Sequence, residues 1–247
     1  MKIKYLGTAA YEGVPSLFCK CEVCQRARAR GGRNIRTRSQ AIINDELLMD
    51  FPPDTVWHSI QYGLDWTRIS DCLITHSHSD HLYPEDVEMA GSCYTNGHRF
   101  YRFYSWKDGY DRLSSIIEKD HMEGAASVTL IEPGKSFQAG DRGQYQVLPL
   151  WANHDTASSP VIYSVSCEGK RILYAHDTGV FPENTWKGLR EEGRYDLVSL
   201  DCTGCLGNGQ DWRDGHMSFG TNLEMRDRMY QEGLIDDKTV IVINHFS

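Results

Sequence analysis

Short apolar runs rich in β-branched residues recur along the chain, at Ile3–Leu6, Ala41–Ile43, Leu47–Met49, Cys72–Thr75 and Tyr145–Leu150. More follow at Val161–Ser166, Arg171–Ala175, Asp196–Leu200 and Thr239–Ile243. Their lengths and their Gly, Asp or Asn boundaries predict strands. Helical periodicity falls at Glu22–Arg30, Asp54–Tyr62, Lys107–Glu118, Glu183–Glu192 and Phe219–Gln231, with Ser218 as N-cap of the last. Strict strand–helix alternation is rare, which predicts an α/β protein of strand layers covered by helices. No internal repeat or Pro/Gly/Ser linker interrupts the pattern, so residues 1–247 read as a single domain.

Composition adds limits. The chain has 247 residues, enough to bury a full core, and a net charge of −8. That charge gives no overall footprint for nucleic acid or an anionic membrane, and a nucleic-acid polymer is not expected as partner. Arg26, Arg28, Arg30, Arg33, Arg36 and Arg38 are a local exception, read first as a solvated helix face and loop and second as a phosphate-guiding patch. The start of the chain lacks the apolar stretch of a signal peptide, and no run approaches the roughly 18 apolar residues of a membrane span. A cytoplasmic location is expected, in which the eight cysteines serve as metal ligands, core residues or bystanders.

Candidate chemistry begins where one strand ends. Asp71-Cys-Leu-Ile-Thr75 is a buried-strand pattern, and His76, His78, Asp80 and His81 follow at once. In an extended stretch His76 and His78 face one side, while Asp80 and His81 come as the chain turns toward a second point. Imidazole and carboxylate donors suit Zn, Mn or Fe. A lone His is more often structural, but three His and an Asp packed together would each need a polar partner if buried.

His-x-His-x-Asp-His after an apolar strand resembles the signature of the metallo-β-lactamase superfamily, whose fold is an αβ/βα four-layer sandwich. The superfamily's other landmarks occur in order: Asp50 closing an early strand, His154 after a strand, Asp177 in Tyr174-Ala-His-Asp177, and His245 after the last strand. The resemblance implies a first metal on His76, His78 and His154, a second on Asp80, His81 and His245, and Asp177 bridging them. Asp50 is implied behind the ligands, orienting them. Two divalent ions, Mn or Zn, would activate a shared water as the bridging nucleophile.

A second motif narrows the reading. Gly13-Val14-Pro15 precedes Cys19-Lys-Cys21-Glu-Val-Cys24, whose thiolates most simply hold structural zinc; a redox pair or three unrelated cysteines are the alternatives. Together the motifs resemble the phosphodiesterase group of the carbon–phosphorus lyase pathway of phosphonate degradation, which cleaves linear and cyclic phosphodiesters, preferably with manganese. That group's fourth zinc ligand is a His three residues beyond the last active-site His; the corresponding position, 248, lies past Ser247. Cys202 and Cys205 are the alternatives within the chain, with a bystander role as the default. The resemblance also implies catalytic roles for Asp80 and for His216, in Asp214-Gly-His-Met-Ser218, where His216 faces a small phosphodiester substrate and stabilises a phosphoryl oxygen or protonates the leaving alkoxide. His176 should point away from Asp177 as a structural residue, and His58, His98 and His121 have no assigned role.

Competing readings share the ligand set. A glyoxalase-type thioesterase lacks support in the stretch Asn153-His-Asp-Thr-Ala-Ser-Ser, which is not Gly-rich. A flavin–diiron oxidoreductase would carry Glu where His78 stands, and a non-catalytic metal-binding module would not need the full ligand set. A homodimer is compatible with the sequence.

Overall fold

The computed structural model describes all of the chain except Ser92, His98 and residues 208–210. Two six-stranded sheets form the frame. The first runs in chain order: β1 (Ile3–Gly7), β2 (Gln40–Ile43), β3 (Leu47–Met49), β4 (Asp71–Leu73), β5 (Tyr101–Ser105) and β6 (Ala126–Leu130). The second comprises β7 (Phe137–Ala139), β8 (Tyr145–Trp151), β9 (Val161–Cys167), β10 (Lys170–Ala175), β11 (Leu197–Asp201) and β12 (Val240–Asn244), also in chain order. Five α-helices accompany them among the described residues: α1 (Glu22–Arg30), α2 (Thr55–Tyr62), α3 (Lys107–Lys119), α4 (Glu183–Glu192) and α5 (Phe219–Gln231).

Strand periodicity explains the layering. Ala41, Ile43, Leu47 and Met49 point between the sheets, where they pack with Val147, Tyr163, Val165 and Tyr174. Their neighbours Ile42 and Leu48 point to the other face and join Leu113 and Ile117 of α3. On the second sheet Leu150, Leu173 and Val198 face Trp186 and Leu189 of α4 and Met225 and Met229 of α5. Side chains alternate across each strand, so each buried strand feeds two cores. The result is the expected αβ/βα four-layer sandwich.

The predicted strands and helices all form, with ends shifted by one or two residues. Three further strands lie outside the apolar runs. β5 falls in an aromatic stretch broken by Arg102, β6 is a half-exposed edge, and β7 has only three residues. Among the described residues no helix is long and apolar enough to cross a membrane.

Strand direction positions the site. β3 and β4 run parallel, as do β10, β11 and β12, and β8 shares the direction of β10 through antiparallel β9. The C-terminal ends of these strands therefore open onto one edge of the sandwich. There the sheets are tied together: Val161 N–H donates to Thr75 O at 2.9 Å and Tyr163 Oη to Ile74 O at 2.6 Å.

Candidate metal centre

Each candidate ligand, and Asp50 behind them, follows a strand at this edge. Asp50 follows β3, His76 to His81 follow β4, His154 follows β8, Asp177 follows β10 and His245 follows β12. Three of these residues, Asp50, Asp177 and His245, adopt positive φ of 65°, 56° and 62°. Such backbone costs an L-residue of order 1–3 kcal/mol and persists where surrounding structure over-determines it. Here the left-handed residue turns the chain sharply off the strand, aiming the side chain into the cluster.

The ligand atoms converge in two groups that share Asp177. His76, His78, His154 and Asp177 form one, and Asp80, His81, Asp177 and His245 the other; within each, the donor atoms lie within 4.8 Å of one another. Asp177 Oδ2 is the common point, 3.1 Å from His76 Nε2, 3.2 Å from His81 Nε2, 3.6 Å from His154 Nε2 and 3.9 Å from His245 Nε2. A third group joins Asp177 and His245 to Asp201 and His216.

Behind the donors, a second ring of contacts fixes each imidazole. Asp50 is fully buried and accepts from Thr75 N–H at 2.7 Å and Thr75 Oγ1 at 2.8 Å, while its Oδ2 meets His81 Nδ1 at 2.8 Å. Thr75 Oγ1 also faces His76 Nδ1 at 3.1 Å. Gly215 O faces His154 Nδ1 at 3.1 Å, and Thr203 Oγ1 and Asp201 Oδ2 face His245 Nδ1 at 2.7 and 3.2 Å. His78 is reversed: its Nε2 faces Asp155 at 3.3 Å and its Nδ1 turns inward. The outer contacts thus present Nε2 from His76, His81, His154 and His245, and Nδ1 from His78. Sequence reasoning finds Asp50 but misses Thr75, Asp155, Asp201, Thr203 and Gly215. Asp201 does leave a signal, since it closes an apolar strand as Asp50 does.

The donor set fits cations. His76 Nε2 lies 3.0 Å from His78 Nδ1, and His81 Nε2 lies 3.2 Å from His245 Nε2, so nitrogen lone pairs are turned toward one another. Asp50, Asp80, Asp177 and Asp201 are all buried around them, a concentration of negative charge that needs positive compensation. Burial opposes ionisation of Asp177, but facing His245, His216, His76 and His81 outweigh it and hold its pKa well below the usual range. His76 is kept neutral by burial, at about 3. In the charge balance of the protein groups alone, His81 is pushed up despite its burial by Asp80 and Asp50. Asp177 Oδ1 is buried without a well-directed donor, although His216 Nδ1 approaches it to 2.9 Å. Divalent ions would replace these protons as counter-charge.

His216 sits at the rim, partly exposed, with Nδ1 also 3.4 Å from Asp201 Oδ2. Burial lowers its pKa, but the carboxylates of Asp177 and Asp201 prevail and raise it to about 10. His176 points away, as expected, with Ser39 Oγ at 3.0 Å and Ser199 Oγ at 2.7 Å from its two nitrogens. His58 is buried in a separate contact chain with Gln40 and Thr37. His121 has φ of 52° in the turn after α3, and His98 lies outside the described residues. Cys19, Cys21 and Cys24 bring their sulfurs within 4.8 Å of one another, and Cys202 and Cys205 are not part of that group. All eight cysteines are free.

A four-layer αβ/βα sandwich with two His/Asp groups at its strand-end edge defines a metallo-β-lactamase-type hydrolase. A family model described as "Beta-lactamase superfamily domain" matches residues 55–235, and the chain belongs to that family. No curated protein sequence matches the chain. Among solved structures, it is similar to a diphosphatase from the PhnP family, with a TM-score of 0.71 at 16% identity over 99% of this chain and 85% of that one. It is similar also to Zn(2+)-bound PqqB from Methylobacterium extorquens, with a TM-score of 0.70 at 17% identity over 100% and 98% of the two chains. Human tRNase Z, short form, gives a TM-score of 0.66 at 20% identity over 100% and 93%. These likenesses concern the fold.

Proposed function

We propose that the chain is a phosphodiesterase for small linear or cyclic phosphodiesters, working with two divalent cations, manganese or zinc. The observation that carries the two-cation part of this reading is the position of Asp177 Oδ2, within 3.6 Å of His76 and His154 from one group and within 3.9 Å of His81 and His245 from the other. His76, His78 and His154 would hold the first ion, Asp80, His81 and His245 the second, with Asp177 between them. When bound, the ions supply Lewis acidity toward a phosphoryl oxygen and lower the pKa of water.

The remaining work falls to the chain's own groups. Asp50, Thr75, Asp155, Thr203 and the Gly215 carbonyl hold each imidazole in one tautomer and orientation. Asp80, beside its ligand role, adds negative charge next to His81, 3.4 Å away. His216, steadied by Asp201, is suited to hold a proton for the leaving alkoxide or to bind a phosphoryl oxygen. Cys19, Cys21 and Cys24 would hold a structural zinc. The active-site ligands are shared by phosphodiester and thioester chemistry, and it is the resemblance of the cysteine motif to the phosphodiesterase group that favours the former. A diphosphatase and a tRNase with the same fold are compatible with phosphate chemistry. We take residues 1–247 as one metallo-hydrolase domain that acts in the cytoplasm, where free thiols persist, on a small-molecule substrate, with a homodimer as a compatible assembly.

The test is hydrolysis of bis(p-nitrophenyl) phosphate by the purified protein loaded with Mn or Zn. Turnover of the diester is expected. Robust thioester hydrolysis without diester turnover across several metals would overturn the reading.

A further inference from the structure

The arginine run is not used by the metal centre. Between Lys20 and Arg38 stand seven cationic side chains and one acid, Glu22, in a chain of net charge −8. Folding divides the arginines. Arg28 is a strut that donates to Cys19 O at 2.7 Å and also to Ser16 O. Arg38 is engaged by the Asp54 carboxylate at 3.2 Å and by Tyr11 O at 2.9 Å.

The other four behave differently. Arg26, Arg30, Arg33 and Arg36 line one cleft of about 290 Å³ between α1 and the turn at Gly32–Asn34, where Asn34 adds an amide. The Arg30 and Arg33 side chains have no acidic partner and no hydrogen bond among the described residues. Among the described residues Arg26 meets only Glu22, at 3.5 Å, in a pair exposed on both sides and therefore weak. Arg36 is half-buried and fixed: Nη1 donates to Thr8 Oγ1 at 2.9 Å, and its guanidinium lies 4.7 Å from the Phe246 ring centre. Phe246 directly follows His245 of the metal centre.

Four arginines line one cleft, and among the described residues Glu22 is their one acidic partner. A multiply charged anion would supply further counter-charge. Guanidinium forks match phosphate oxygens in pairs, which a halide or a single carboxylate cannot exploit to the same degree. A cleft of that size admits a phosphate and part of what carries it.

We propose that this cleft binds a phosphate group of a phosphorylated small molecule. Two sources share that chemistry: a second, non-reacting phosphate on the substrate, or a separate phosphorylated effector. The substrate-borne form rests on the phosphodiesterase reading; binding itself does not.

Calorimetric titration of the metal-loaded chain with adenosine 3′,5′-bisphosphate tests the binding. Arg30→Ala/Arg33→Ala should weaken affinity about tenfold or more, and Arg30→Lys/Arg33→Lys should recover part of it, with metal content unchanged. Equal affinity in wild type and the alanine variant, or no binding by wild type, overturns the proposal. A second arm separates the sources, using thymidine 5′-(p-nitrophenyl phosphate) with and without a 3′-phosphate. A KM raised about tenfold by the alanine variant for the 3′-phosphorylated diester alone assigns the site to substrate. Unchanged KM for both, with turnover of wild type alone shifted by the bisphosphate, assigns it to an effector. If neither diester turns over, the phosphodiesterase reading fails while the titration still decides the binding.

Discussion

Asp155 Oδ2 lies 3.3 Å from His78 Nε2, and the opposite ring nitrogen, Nδ1, faces His76 and His154. Asp155 is exposed, and it is the residue after His154, so one short segment supplies a ligand and orients another.

Loss of that contact should act on metal affinity and barely on folding. For Asp155→Ala we expect the first metal to be held about 10–100-fold more weakly, the usual cost of removing an orienting partner. Competition titration against a chelator would measure it. An unchanged affinity would show that His78 is held by other means.

Thr75 is a different case, because it is buried and serves several partners at once. Thr75→Val keeps the shape but removes the hydroxyl that donates to Asp50 and faces His76 and His81. Leaving such buried groups unsatisfied costs about 1–3 kcal/mol. Urea denaturation should show a loss of that size, with weaker metal binding alongside; a variant as stable as wild type would remove Thr75 from the network.

His216 offers a separation of roles. His216→Ala should lower diester turnover about 10²–10⁴-fold, the range for a lost general acid or base, while metal content stays near wild type. Loss of metal from that variant would instead make His216 a ligand of the group it forms with Asp177, Asp201 and His245.

These roles differ in how plainly the residues announce them. His76, His78, Asp80 and His81 are legible because four donors stand within six positions, and Asp50, His154, Asp177 and His245 because each ends an apolar strand. The outer contacts are not legible in the same way. Asp201 reaches His245 only after β11 pairs with β12 and His216 only through the loop before α5, and Gly215 contributes a carbonyl, which no side-chain pattern can reveal. The missed strands have local causes too: Arg102 breaks the apolar pattern of β5, where it is paired with buried Asp71 at 3.1 Å. The pairing of sheet edges, unlike burial, leaves little trace in composition.

Acid sensitivity can be traced to His58. Burial lowers its pKa from 6.5 to about 4, so the folded chain holds it neutral while the unfolded chain protonates it first. Its contribution is complete above about pH 6.5 and falls away as pH drops toward 4. Between about pH 7.5 and 5 the expected loss is about 2 kcal/mol, because a tenfold change in proton affinity between the folded and unfolded chain corresponds to about 1.4 kcal/mol. Urea denaturation of wild type and His58→Asn at both pH values isolates this share. Parallel pH dependence in the two proteins would place the sensitivity elsewhere.

The cysteine group makes its own prediction. Hydrogen bonding from the Cys24 N–H and the neighbouring thiols lowers Cys21 to about 7, which favours the metal-binding thiolate. Cys21→Ser should carry one zinc fewer per chain by elemental analysis while its manganese content is preserved. Identical zinc content would leave the three cysteines without a metal.

The pairing of β12 beside β11 also sets an order of assembly. His76, His78, His154 and Asp177 have all been made once the chain reaches Asp177, whereas the second group lacks His245 until β12 follows. The first group is not finished at Asp177 either, because Gly215, whose carbonyl faces His154 Nδ1, is made later. Both groups are therefore finished late in the chain, the first by the segment that carries Gly215 and the second by β12.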